Sequence, residues 1–318
     1  MVKRTLKTIP GAYTAAKAIR VKLHHLRHLP SGKDARRYRK IKKELRQSAK
    51  SIDANTAVVI HLYYTEIWPI FIKSLKNFTK PFDLYITMPD QNMEFSSEIK
   101  RSFKNVHIFE TPNRGRDVLP FLCIASQLEE LGYKYVLKLH SKKSTHRNDG
   151  SDWMTAIVSS LLPSKPVLSK AYDALSEPSA SLIGPESEYI ALSVNFEANG
   201  TLMTKILSTT YDSQTAYQVL QLERNEHGFF AGTMFWARLD SLRPILSKNW
   251  APSNFEKENG QIDGTFAHAM ERVFSLVPQI EGKDLIGISS KAVNKLKYKT
   301  TNIPDWSNVY IGPKPDSD

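Results

Sequence analysis

The sequence predicts an α/β protein: one domain on a mainly parallel central sheet, preceded by a basic helical N-terminal arm. Three observations carry that expectation. Short β-branched and aromatic runs alternate with amphipathic stretches in the order β-α-β-α-β between residues 56 and 109. The first run, residues 56–63, is almost continuously apolar, as a parallel strand covered on both faces requires. The charge is also segregated. Residues 1–50 hold 16 Lys and Arg against two acids, Asp34 and Glu44, so this arm carries +14 and the rest of the chain −2.

With 318 residues and 41% hydrophobic content, the chain has room for a substantial core. Its single cysteine, Cys123, sits in an apolar segment, which excludes a disulfide framework or a cysteine-built zinc cluster and suits a reducing cytoplasm. No apolar run approaches the roughly 18 to 20 residues that span a bilayer, and the N-terminus lacks the apolar stretch of a signal peptide. An integral or conventionally secreted protein is therefore not expected.

Along the arm, Ala16, Ile19, Leu23 and Leu26 recur at helical spacing while Lys17, Arg20, Lys22, Arg27 and His28 take other faces. Pro30 and Gly32 break that helix. Residues 34–50 read as a second, highly charged helix whose apolar edge is only Tyr38, Ile41 and Leu45. An anionic membrane surface is the expected partner of residues 1–50. Nucleic acid is not, because no aromatic interleaving or base-reading motif accompanies the charge; a solvated or partner-docking extension is the remaining alternative.

The domain is expected over residues 56–300, with a surface-wrapping Pro-rich tail at 301–318. After the strand at 56–63 come a helix at 66–77, a strand at 81–87, a helix at 96–103 and a strand at 105–109. A helix at 118–131, a strand at 133–139 and a helix at 151–162 follow. Further strands are expected at 181–185 and 234–237, separated by helical segments, and a last helix carries Phe266, Met270, Val273 and Phe274. No Gly-rich phosphate fingerprint or Walker motif appears, which argues against a Rossmann dehydrogenase or a P-loop enzyme.

Four loops concentrate polar chemistry. Asn113, Arg114, Gly115, Arg116 and Asp117 form a tight turn after the third strand, offering guanidinium forks and a carboxylate; a charged turn capped by Asp117 is the alternative. The strand at 133–139 ends in His140, Ser141, Lys142, Lys143, Ser144 and His146, a cationic tip suited to an anion such as a diphosphate, or an ordinary solvated turn. Small residues at Ala231 and Gly232, just before Thr233, let a ligand approach the backbone, or simply lead into a core strand with an aromatic cluster. Gln261, Asp263, His268, Glu271 and Arg272 crowd the start of the last helix, where Asp263 is either an N-cap or a general base.

Taken in order, these blocks resemble the rhamnan synthesis protein F family. The residues that carry the likeness are Asn113 to Asp117 with Pro120 and Phe121; Lys138 to Ser144 with His146, Gly150 and Trp153; Ala231 to Trp236; and Gly260 to Thr265 with His268, Glu271 and Arg272. The likeness covers about residues 56 to 285. It implies a bacterial nucleotide-sugar-dependent glycosyltransferase of GT-A-like fold, acting on a lipid-linked glycan from the inner face of the plasma membrane.

Many such enzymes end a central strand in Asp-x-Asp, which holds a metal against the donor diphosphate. Here the tip is cationic, so no metal and no other cofactor is expected. Lys142, Lys143, His140, Arg116 and Ser141 are assigned to the diphosphate, and Asn113, Arg114, Gly115, Gly232, Thr233 and Gln261 to the nucleotide and sugar. Asp263 is the expected base and Asp117 the reserve, with His146, His268 and Arg272 in support. Phe229, Phe230 and Trp236 are candidate contacts for a deoxy-sugar methyl. Alternatives are another hexosyl donor, a non-catalytic glycan- or lipid-binding module, and a nucleic-acid binder.

Overall fold

Six consecutive buried residues make β1 (Thr56–His61) the centre of the molecule, and a strand buried on both faces needs a layer on each. The structure, a computed structural model, describes residues 32–296 apart from 49, 52, 104, 142–149 and 195. The expected amphipathic helix before Pro30 and the chain beyond residue 296 lie outside the described residues.

Helix α1 (Gly32–Gln47) precedes β1. The chain then runs through α2 (Trp68–Leu75) to β2 (Phe82–Met88) and through α3 (Ser96–Ser102) to β3 (Val106–Glu110), both laid down in parallel on one side of β1. Helix α4 (Val118–Leu128) returns it to β4 (Tyr135–His140), parallel to β1 on the other side. The winding thus reverses between β1 and β4, the place where open α/β sheets leave a crevice at their carboxyl ends.

Helices α5 (Gly150–Leu161) and α6 (Lys165–Ser176) lead to β5 (Ala180–Pro185). A separate antiparallel pair, β6 (Tyr189–Ala191) and β7 (Gly228–Phe230), brackets α7 (Phe196–Leu207) and α8 (Ser213–Tyr217). Next, β8 (Phe235–Arg238) enters between β4 and β5, antiparallel to both. Helices α9 (Leu239–Leu246) and α10 (Phe266–Ile280) and strands β9 (Asp284–Ile288) and β10 (Val293–Lys295) complete an eight-stranded sheet of order β10-β9-β5-β8-β4-β1-β2-β3.

The sheet is mainly parallel, with antiparallel exceptions at β8 and β10. Periodicity reports burial and not direction, so β8 was legible as a strand while its sense was not. It starts one residue later than expected, because Thr233 at φ 50° takes the chain out of the extended region just before it. Among the described residues no helix is long and apolar enough to cross a membrane.

Alternation along the strands sorts side chains between two cores. Val58, Ile60, Leu137 and Leu139 face α2, α5 and α6, while Ala57, Val59 and Val136 face α1, α4, α9 and α10. The edge formed by Tyr38, Ile41 and Leu45 is the docking face of α1, which packs along α4; Leu45 is 0% exposed. Cys123 lies under this contact, its Sγ donating to the carbonyl of Tyr38 at 3.8 Å. Burial pushes its thiol up to about 12, as expected of a packed rather than reactive cysteine.

Leu45→Ala should therefore cost about 2–5 kcal/mol in urea unfolding, as a core truncation does. Lys43→Ala on the opposite face should stay within about 0.5 kcal/mol. Equal, small effects at both positions would mean that α1 contributes nothing to the fold.

Candidate functional site

Three of the four polar loops reach the carboxyl end of β1 and β4 for topological reasons. Parallel β3 delivers residues 111–117 there, β4 ends there, and antiparallel β8 is approached from there by residues 231–234. The N-terminus of α10 joins them through its side chains: Glu271 Oε1 accepts from the Gly232 N–H at 2.7 Å, and His268 meets Arg116.

The innermost contact was not singled out from sequence. Lys138 interrupts the apolar alternation of β4, so its side chain falls on the face of α4 and α10, where it is 1% exposed. Its Nζ donates to Asp117 Oδ2 at 2.5 Å and to the Thr233 carbonyl at 2.7 Å, and the Thr233 hydroxyl donates to the same Asp117 oxygen at 2.9 Å. Burial lowers the pKa of Lys138, and the Asp117 carboxylate opposes that shift. Asp117 stands at the N-cap position of α4 but makes no side-chain cap. The alternative of Asp117 as a cap is thereby corrected: the ion pair takes the carboxylate.

Two left-handed turns flank this pair. Gly115 and Arg116 have φ of 69° and 53°, Gly232 and Thr233 of 90° and 50°. A Cβ on Gly115 would stand 2.5 Å from Leu119 Cβ and 2.9 Å from the Phe255 ring, so the turn is closed to larger residues. The Gly232 peptide is held at both ends, by Glu271 at its N–H and by His140 Nε2, which donates to its carbonyl at 2.7 Å.

Further out, Arg116 forks onto Glu258 through Nε at 3.2 Å and Nη2 at 3.3 Å, and also donates to the Gln261 carbonyl. Its Nη1 lies 2.7 Å from His268 Nε2. A guanidinium only donates, so Nε2 accepts, and Nδ1 on the other side of the ring lies 2.9 Å from Thr265 Oγ1 and 3.3 Å from the Thr265 N. Thr265, not Asp263, is the N-cap of α10, accepting from the His268 N–H; the alternative of Asp263 as a cap is thereby corrected. Asp263 Oδ1 accepts from Gly264 N–H at 2.8 Å and Asn199 Nδ2 at 3.0 Å, and Oδ2 lies 3.6 Å from Arg272 Nη2. Arg272 lies over the Phe229 ring at 4.7 Å.

The remaining expected site residues divide by exposure. Asn113 is exposed at its turn. Arg114 turns away from the crevice to clamp the Pro252 and Phe255 carbonyls at 2.9 and 3.0 Å. Gln261 braces its own loop, donating to the Lys257 carbonyl and accepting from Asn259 N–H. Ser141 is buried, its Oγ accepting from the N–H groups of Tyr63 and Tyr64 at 2.8 Å each, which ties the exit of β4 to the exit of β1. Lys142, Lys143, Ser144 and His146 lie outside the described residues. Phe229, Phe230 and Trp236 are buried in the cores, so the expectation that they touch a sugar methyl is corrected.

Sequence reading also missed residues at the exit of β1. His61 sits in register beside His140, with Nδ1 3.0 Å from Thr87 Oγ1. Burial lowers its pKa to about 4; Asp117 pulls upward, while His140 and Lys138 add to the depression. Tyr63, half-buried, belongs to neither core and meets Tyr64 edge-to-face at 5.0 Å. The only signals were a lysine and a histidine placed inside apolar strands.

Lys138→Met should destabilise the fold by about 3–5 kcal/mol, because Asp117 is left buried and unpaired, and a Lys138→Met/Asp117→Leu double variant should recover most of that loss. A double variant as unstable as the single one would show that the pair is not what links these loops. His61 supplies a pH test. Neutral in the fold and protonated when unfolded, it contributes stability that is complete above its ordinary pKa of about 6.5 and is lost as pH falls toward about 4. The unfolding free energy from urea titrations should drop over that window by an amount on the order of 3 kcal/mol, and His61→Gln should flatten the drop.

Two proteins of Xanthomonas campestris pv. campestris, from different strains and both described as uncharacterized protein WxcX, are each 33% identical to this chain over 223 residues. The matched region is 70% of this chain and 31% of each relative, so the chain spans under a third of their length. The sequence model of the rhamnan synthesis protein F family matches residues 33–282, from the first turn of α1 to the end of α10, and takes in the Lys138–Asp117 pair with every loop around it. The chain belongs to the rhamnan synthesis protein F family.

Proposed function

We propose that the chain is an inverting glycosyltransferase that moves L-rhamnose from a nucleotide donor to a lipid-linked glycan during assembly of a cell-surface polysaccharide. The observation that supports this most directly is the meeting of the polar loops outside the carboxyl ends of β1 and β4, at the reversal of the sheet where α/β sheets receive nucleotides. Membership of a rhamnan synthesis family points to the same chemistry.

In this reading the acceptor hydroxyl attacks the anomeric carbon opposite the diphosphate, the carbon–oxygen bond to the diphosphate breaks, and the leaving group departs with the electron pair. The hydroxyl proton passes to Asp263. Asp117 is less suited to that role, since it is committed to Lys138 and Thr233, whereas the Asp263 side chain keeps 24% of its surface exposed. One displacement turns a β-L-rhamnosyl donor into an α linkage. Lys142 and Lys143, which follow His140 in the chain, neutralise the departing diphosphate without a metal, because the sequence of the strand tip carries no carboxylate to hold one. Tyr63 offers its ring to the nucleobase, being an aromatic at the crevice with no place in either core.

A thermal-shift panel of UDP and dTDP sugars, with and without chelator, tests the donor site. One nucleotide series should raise the melting temperature whether or not chelator is present. No shift from any of them, with or without added metal, would sink the donor assignment. Asp263→Asn should keep the shift but lower turnover by about 10²–10⁴-fold, and near-normal turnover would remove it as the base. Tyr63→Ala should weaken the shift without altering the fold.

A further inference from the structure

We propose that the outward face of α1 is an electrostatic docking surface for an anionic lipid bilayer. Tyr38, Ile41 and Leu45 pin the helix to α4 and so fix which side faces out. The opposite side exposes Arg36, Arg39, Lys40 and Lys43, with Lys33 at its start, over a helix about 24 Å long. This clustering is not neutralised locally. Arg37 pairs with Glu110, and Lys40 meets Glu44 in an exposed contact at 3.6 Å, a kind that contributes little. Arg36, Arg39 and Lys43 form no ion pair among the described residues.

No apolar side chain is exposed on α1, so this face suits adhesion to charged headgroups and not insertion. Nor is any aromatic side chain exposed there, the group a nucleic-acid surface would use for stacking. The sequence immediately before α1 adds charge of the same sign, with Ala16, Ile19, Leu23 and Leu26 at the spacing of an interfacial helix. Orientation gives the surface a purpose. Arg37 reaches Glu110, the last residue of β3, while Arg46 donates to Gln127 near the far end of α4 at 2.8 Å. The first turns of α1 therefore stand at the carboxyl end of the sheet, and a bilayer lying on this face would run beside the candidate site. The proposal does not depend on which sugar or nucleotide the site takes.

The test is co-sedimentation of the full chain with vesicles of phosphatidylcholine alone or mixed with phosphatidylglycerol, at an ionic strength of about 0.15 M. The wild type should bind only the anionic vesicles. R36Q/R39Q/K43Q should weaken binding by about a hundredfold, while K165Q/K170Q/K205Q, which removes the same charge from exposed sites elsewhere, should change it less than about threefold. Equal loss in both variants, or no loss in the first, overturns the assignment to α1. Should the first variant fold poorly, the wild type's salt response decides instead. Retention should collapse as salt rises toward about 1 M, and salt-insensitive or phosphatidylcholine-equal binding overturns the proposal, as does preference for duplex DNA over vesicles.

Discussion

A lysine ammonium and an aspartate carboxylate enclosed together between a sheet and its helices hold this molecule's polar loops in place. Removing either charge from water is expensive, and the expense is met only if both partners are present and their remaining hydrogen bonds are made. Lys138 and Asp117 meet that condition with the Thr233 hydroxyl and carbonyl. The three groups come from β4, the start of α4 and the approach to β8, so one contact fixes the relative positions of three chain segments far apart in sequence. His140, two residues along the same strand face, then holds the Gly232 carbonyl, and Glu271 holds the Gly232 N–H.

Much of the charge that looks available in the sequence is internally engaged. Arg114 anchors the 252–255 backbone, Arg116 is divided among Glu258, Gln261 and His268, and Arg272 lies against Phe229 with Asp263 near its end. Such groups set shape. A crevice built this way is preorganised, since its donors and acceptors are already oriented before any ligand arrives. Carboxylates and cations are interleaved around it, and Asp263 keeps part of its side chain at the surface.

Helix α1 shows how a low-information segment can join a fold. Eight of its sixteen residues are Lys or Arg, and three apolar side chains are enough to seat it on α4. Those three are spaced for one helical face, so the charges are forced to the other. The same geometry that buries Leu45 therefore creates the exposed cationic stripe. The family match begins at residue 33, within the first turn of this helix.

Periodicity made the alternating strands and helices legible from Thr56 onward, because burial of β1 on both faces demands a continuous apolar run and amphipathic helices to cover it. The charge asymmetry, the packed cysteine and the four polar loops were legible for the same reason: each is a local property of composition or spacing. Strand direction at β8, the partner of Asp117 and the cap of α10 were not. The first two depend on which segments meet in space, as Asp117 does with Lys138 and, across more than 100 residues, with Thr233. The cap is local, but Thr265 and Asp263 are both cap-forming residues and the spacing alone did not choose between them. Sequence determined which groups were present at the ends of the strands; only the tertiary structure decided which of them are consumed by one another, because a buried charge takes the nearest partner the fold supplies.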